Sequence, residues 1–88
     1  MLFRSLLNLY LNLQAEVICT RGGIVDKFVG DAVMALFIDE DPEFRATLAA
    51  QEIQNFVRSL NEARAKLGKR KLTIGIGLNA GEIGRAHV

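Results

Sequence analysis

Val25-Asp26-Lys27-Phe28-Val29-Gly30-Asp31-Ala32-Val33-Met34-Ala35 decides how this chain is read. Two runs rich in β-branched and apolar residues flank a two-residue Gly-Asp connection, the local signature of a β-hairpin in which Gly30 supplies the positive φ of a tight turn. The runs extend to Ile24 on one side and Phe37 on the other. Strict alternation along the first strand groups Val25, Lys27 and Val29 on one face, which sets a lysine between two apolar side chains.

On either side of the hairpin the period changes from two to about 3.6. Upstream, Phe3, Leu6, Leu7, Tyr10, Leu13, Val17 and Ile18 recur at three- and four-residue steps, predicting an amphipathic helix over 2–19 that Gly22-Gly23 ends. Leu9 and Leu11 widen its apolar face beyond half the girth, so this helix needs cover from two sides. Downstream, Asp39-Glu40-Asp41-Pro42 opens a second helix, with an acidic N-cap and proline in the first turn. A calcium loop is the alternative reading of those acids, but its glycine and its distant glutamate are missing. Phe44, Leu48, Ile53, Phe56, Val57, Leu60 and Leu67 keep helical period until Gly68. Arg64, Lys66, Lys69, Arg70 and Lys71 then form a basic cluster suited to a helix C-terminus and to solvent. Leu72-Thr73-Ile74-Gly75-Ile76-Gly77-Leu78 reads as a last strand, its two inner glycines leaving a bare strip on one face. The order helix, strand, strand, helix, strand predicts an α+β sandwich with an incomplete, mainly antiparallel sheet.

Composition bounds what such a chain does. Its 88 residues allow one domain. An apolar half with a single proline excludes whole-chain disorder. Eleven basic against ten acidic residues leave a net charge of +1, which gives no footprint for nucleic acid. No run approaches the roughly 18 apolar residues of a membrane span. The lone Cys19, beside Val17 and Ile18, is expected to be a buried thiol in a reducing compartment. The dinucleotide and phosphate-loop fingerprints are both absent.

The hairpin stretch resembles that of the class III nucleotidyl cyclases, the adenylate and guanylate cyclase catalytic domain. The helix ending in Gly22-Gly23, the helix carrying Arg45, Ala46, Ala49 and Ala50, and the stretch from Ile74 to Glu82 continue the resemblance in order. It implies a ferredoxin-like cyclase sandwich over 1–82, incomplete, in a cytoplasmic protein whose membrane tether, if it has one, lies elsewhere. By the same resemblance Asp31 matches a metal-binding aspartate for Mg2+ or Mn2+, with two ions in the complete domain. Lys27 matches the purine-selecting position, where lysine goes with adenine. The partners implied are ATP and a second cyclase domain, head to tail. Read without the family, Asp31 is an aspartate capping its own turn and Lys27 a strand lysine reaching for solvent.

Other parts of the family pattern are missing: the opening strand with the first metal aspartate, the second purine contact, and the asparagine and arginine of the transition state. The isolated chain is therefore expected to be inactive. Alternative readings are a non-catalytic cyclase-like regulatory or dimerisation module, an unrelated small α+β interaction domain and, lower, a diguanylate cyclase, whose defining Asp-Glu-Phe is not at Gly22-Gly23. Residues 83–88 depart from the family and resemble translated sequencing adapter, since GAG ATC GGA AGA GCA CAC GTC encodes Glu82 through Val88. On that expectation they are a non-native tail, and His87 is no ligand.

Overall fold

The computed structural model describes residues 2–81, and the expected tail with Glu82 and His87 lies outside them. Four elements follow in order: α1 (Leu2–Thr20), β1 (Ile24–Val29), β2 (Ala32–Leu36) and α2 (Pro42–Lys66). The chain is α+β, with one antiparallel hairpin as its sheet. α1 packs against both strands and against α2. These neighbours cover part of its broad apolar face, and Leu9 stays about half exposed. The seam between the helices is lined by Tyr10, Leu13, Gln14, Val17, Ile53, Phe56 and Val57. Ile18, Ala49, Ile53 and Val57 are buried, each less than a tenth exposed.

Both helices stop where glycine permits it. Gly22 has φ 85°, and the N–H groups of Gly22 and Gly23 donate to the carbonyls of Cys19 and Ile18. Gly68 has φ 72°, with the N–H groups of Gly68 and Lys69 donating to Ala65 and Arg64. Each is the paired closure of a helix end through a left-handed residue, which satisfies carbonyls the helix leaves without partners.

Arg45, in the first turns of α2, joins three chain segments. Its Nη1 donates to the carbonyls of Arg21 (3.2 Å) and Gly22 (2.9 Å), and its Nε to that of Glu40 (2.7 Å). Its guanidinium also lies 5.7 Å from the centre of the Phe37 ring. A cation at the C-terminal end of α1 suits the negative end of that helix. Beside it, Arg21 and Glu52 form an exposed ion pair at 3.0 Å.

Four expectations change. Residues 69–81 carry no regular secondary structure, so the strand read at 72–78 is not formed. A strand exists through its ladder, and the described chain sets no neighbour beside this one. Asp41 does stand at the N-cap of α2, with Pro42 next, but in a left-handed conformation, φ 48°, and its side chain makes no cap hydrogen bond. Cys19 is exposed, because the helical turn that buries Ile18 carries the next residue outward. Finally, the grouping of Val25 with Lys27 fails, for a reason that shapes the site.

Candidate functional site

β1 and β2 pair as Ile24↔Leu36, Val25↔Ala35, Lys27↔Met34, Phe28↔Val33 and Val29↔Ala32, with a shift between Val25 and Lys27. Asp26 is thus the extra residue of a β-bulge, and a bulge resets the alternation. Residues opposite one another in an antiparallel pair share a face. Val25 and Phe28 therefore sit with Val33 and Ala35. Lys27 sits on the reverse face with Ile24, Val29, Ala32, Met34 and Leu36. Ile24, Val29 and Met34 are each about half exposed, so Lys27 stands in an uncovered apolar strip.

Gly30 and Asp31 form the turn. Gly30 has φ 59°, whereas Asp31 keeps a negative φ, the sign pattern of a type II′ hairpin. A Cβ at Gly30 would meet nothing within 4 Å, so backbone conformation and not space demands the glycine. Asp31 is exposed at the tip. Among the described residues it forms no ion pair or side-chain hydrogen bond, and the turn stands without a cap from it. Lys27 is equally exposed and unpaired among them. Roughly 10 Å of strand separates Lys27 from the turn, at about 3.3 Å per residue.

Tyr10 of α1 lies near this tip, a neighbour that hydrophobic periodicity treats only as core. Its hydroxyl is held above the ordinary tyrosine value, first by burial and then by the negative charge of Asp31, while the Gln14 side chain acts in the opposite sense. Sequence reasoning offered no signal for this proximity, which depends on α1 packing across the hairpin.

Among the described residues no group of three His, Cys, Asp or Glu side chains is placed to share a metal ion. Asp31 offers one carboxylate, whereas a two-ion centre needs further oxygen ligands. Residues 2–81 do not by themselves fit that centre. The acids at 39–41 border an open cleft with Phe44 and Arg45 at the start of α2. A Cβ at Gly75, Gly77 or Gly81 would meet nothing within 4 Å, so the glycine strip is open. No described helix is long and apolar enough to cross a membrane.

Comparison with known proteins places these features in context. The chain is 34% identical over 80 residues to an adenylate cyclase of Anabaena cylindrica, covering 88% of this chain and 16% of that protein. It is 36% identical over 78 residues to the terminal-differentiation-specific adenylate cyclase of Dictyostelium discoideum, covering 86% of this chain and 4% of that protein. A uridylate cyclase of Xanthomonas perforans is 47% identical over 45 residues, 51% of this chain and 20% of that protein. The chain thus spans a sixth or less of the length of the two adenylate cyclases. No protein-family model matches it, and no solved structure matches it significantly.

Proposed function

We propose, on the premise that this chain is similar over most of its length to adenylate cyclases, that it carries the nucleotide-recognition hairpin of an adenylate cyclase-like catalytic domain. In complete form that domain converts ATP to cyclic AMP and pyrophosphate. The observation that carries the reading is the hairpin itself: a bulge and a tight turn hold Lys27 on an exposed apolar face and Asp31 at the tip, with neither committed to a partner among the described residues.

Each residue has a chemical role in this reading. An apolar strip accepts the flat surface of a base, and the Lys27 ammonium donates to a ring nitrogen of adenine that accepts. Guanine carries a donor at the corresponding position and would face the lysine N–H groups with an N–H of its own. The likeness to a uridylate cyclase means that family membership alone does not choose the base, so the assignment to adenine rests on Lys27. Asp31 presents carboxylate oxygens where the strands end, on the side suited to the phosphate chain and its divalent cations. Metal binding takes carboxylates beyond Asp31, and a second cyclase domain, docked head to tail, completes the site. The 88-residue chain alone is inactive on this reading.

The test is a chimera in which residues 25–35 replace the matching hairpin of an active adenylate cyclase. Cyclic AMP formation is retained, Asp31→Asn abolishes it, and Lys27→Glu lowers the preference for ATP over GTP at least tenfold. A preference unmoved by Lys27→Glu refutes the assignment. A second reading, a cyclase-like regulatory module, draws on the lack, among the described residues, of three acidic, His or Cys side chains placed to share a metal ion. It requires nucleotide binding or dimerisation that survives Asp31→Asn without turnover.

A further inference from the structure

Residues 69–81 form no ladder, yet two side chains of α2 hold their entry. The Asn61 Nδ2 group donates to the Leu72 carbonyl at 2.8 Å, and the Leu72 N–H donates to Asn61 Oδ1 at 2.7 Å. One turn further along, Arg64 Nε donates to the Arg70 carbonyl at 2.8 Å. The Asn61 contacts are reciprocal and close on a single residue. A hydrogen-bonded pair in an antiparallel ladder makes that same exchange, both polar groups of one residue meeting both of its opposite number. A primary amide can stand in for that partner because it offers a carbonyl and an N–H side by side. The reciprocity also fixes which way the amide points, since the reverse orientation would set donor against donor.

Holding one residue sets the phase of those beyond it. In an extended segment a slip by one residue turns every side chain to the opposite face. With Leu72 held, Leu72 and Ile74 are half-buried while Lys71, Thr73 and Gly75 are exposed.

We propose that Asn61 is a register lock, a surrogate strand neighbour on α2 that fixes which side chains of residues 72–75 face inward, Ile76 and Leu78 beyond them being exposed. A segment delivered in phase meets an incoming strand without searching alternative registers. This inference stands apart from the nucleotide reading, because it concerns only how α2 holds the segment after it.

The test compares the full chain with Asn61→Ala and Asn61→Asp by amide hydrogen exchange, with the α2 amides of Ile53 and Val57 as the measure of overall folding. In the unaltered chain the Leu72 amide is protected. Asn61→Ala lowers that protection on the order of tenfold or more, whereas Asn61→Asp, which keeps the acceptor oxygen, retains most of it. A soluble paramagnet reads the phase: in the unaltered chain it broadens the Thr73 methyl more than those of Leu72 and Ile74, and in Asn61→Ala that contrast collapses. Contrast that persists in Asn61→Ala would show that side-chain packing sets the register, and would overturn the proposal. So would a Leu72 amide that is unprotected in the unaltered chain. Should Asn61→Ala lose protection at Ile53 and Val57 as well, Asn61→Asp decides: Leu72 protection retained supports the lock, and its loss in an intact helix refutes it.

Discussion

Replacing Arg45 with methionine keeps much of the side chain's length and removes its guanidinium, which donates to the carbonyls of Arg21, Gly22 and Glu40. A hydrogen bond to a charged group contributes about 1.5–3 kcal/mol when desolvated, but an exposed carbonyl regains water once the donor has gone. The contact with Arg21 is partly buried and the other two are exposed, so most of the cost falls on one bond. The cation over Phe37 adds about 0.5 kcal/mol. Nη2, buried and without a hydrogen-bond partner among the described residues, acts against that gain. The expected loss is about 2 kcal/mol. Against a total stability of roughly 4–13 kcal/mol for a chain of this length, that is a large fraction. Urea unfolding followed by circular dichroism reads it directly, since a slope of about 1 kcal/mol per molar lowers the midpoint by ~2 M. Arg45→Lys should recover less than half, because one ammonium cannot span the carbonyls that the planar fork reaches. A midpoint for Arg45→Met within ~0.5 M of the unaltered chain would refute the claim that Arg45 ties these segments together.

Three further outcomes are expected. Glu52→Gln breaks an ion pair whose side chains are about 40% exposed and should change stability by less than about 0.5 kcal/mol in the same assay. Gly23→Ala places a Cβ 2.6 Å from the Phe37 ring and 2.8 Å from Ile18 Cγ2, and calorimetry should show about 1–3 kcal/mol of destabilisation. Tyr10, titrated by ultraviolet absorbance, should ionise above the usual tyrosine range, and Asp31→Asn should bring it part of the way down, burial remaining as the larger cause. Since the folded state keeps this proton longer than the unfolded one, its contribution to stability is complete below pH 10, the ordinary tyrosine value, and is lost as pH rises through the folded value.

The hairpin and both helices were legible because their signals are local: a Gly-Asp turn between β-rich runs, helical period on either side, and Gly22 and Gly68 at the helix ends. The breadth of α1's apolar face also announced two neighbours, which the hairpin and α2 supply. What escaped notice depends on pairing or packing. The bulge at Asp26 has no signature of its own, and alternation counted through it put Val25 on the wrong face. The strand at 72–78 has the right composition, but a ladder needs a partner that composition does not name. Asn61 sits within α2 like any exposed polar residue until Leu72 is brought beside it. Of the candidate site, Lys27 and Asp31 stood out through the resemblance of the hairpin to the cyclases, and Tyr10 did not, because its approach to Asp31 arises from tertiary packing.

The bulge at Asp26 also bears on how the hairpin tolerates change. An inserted or deleted residue ordinarily propagates along a strand as a half-turn of every later side chain. Here the ladder is already interrupted between Val25 and Lys27, so residues 27–34 keep their own phase, counted from the Gly30-Asp31 turn and not from α1. The tip is in that sense a cassette: a length change at Ile24 or Val25 would be absorbed where a spare residue already stands, leaving Lys27 opposite Met34.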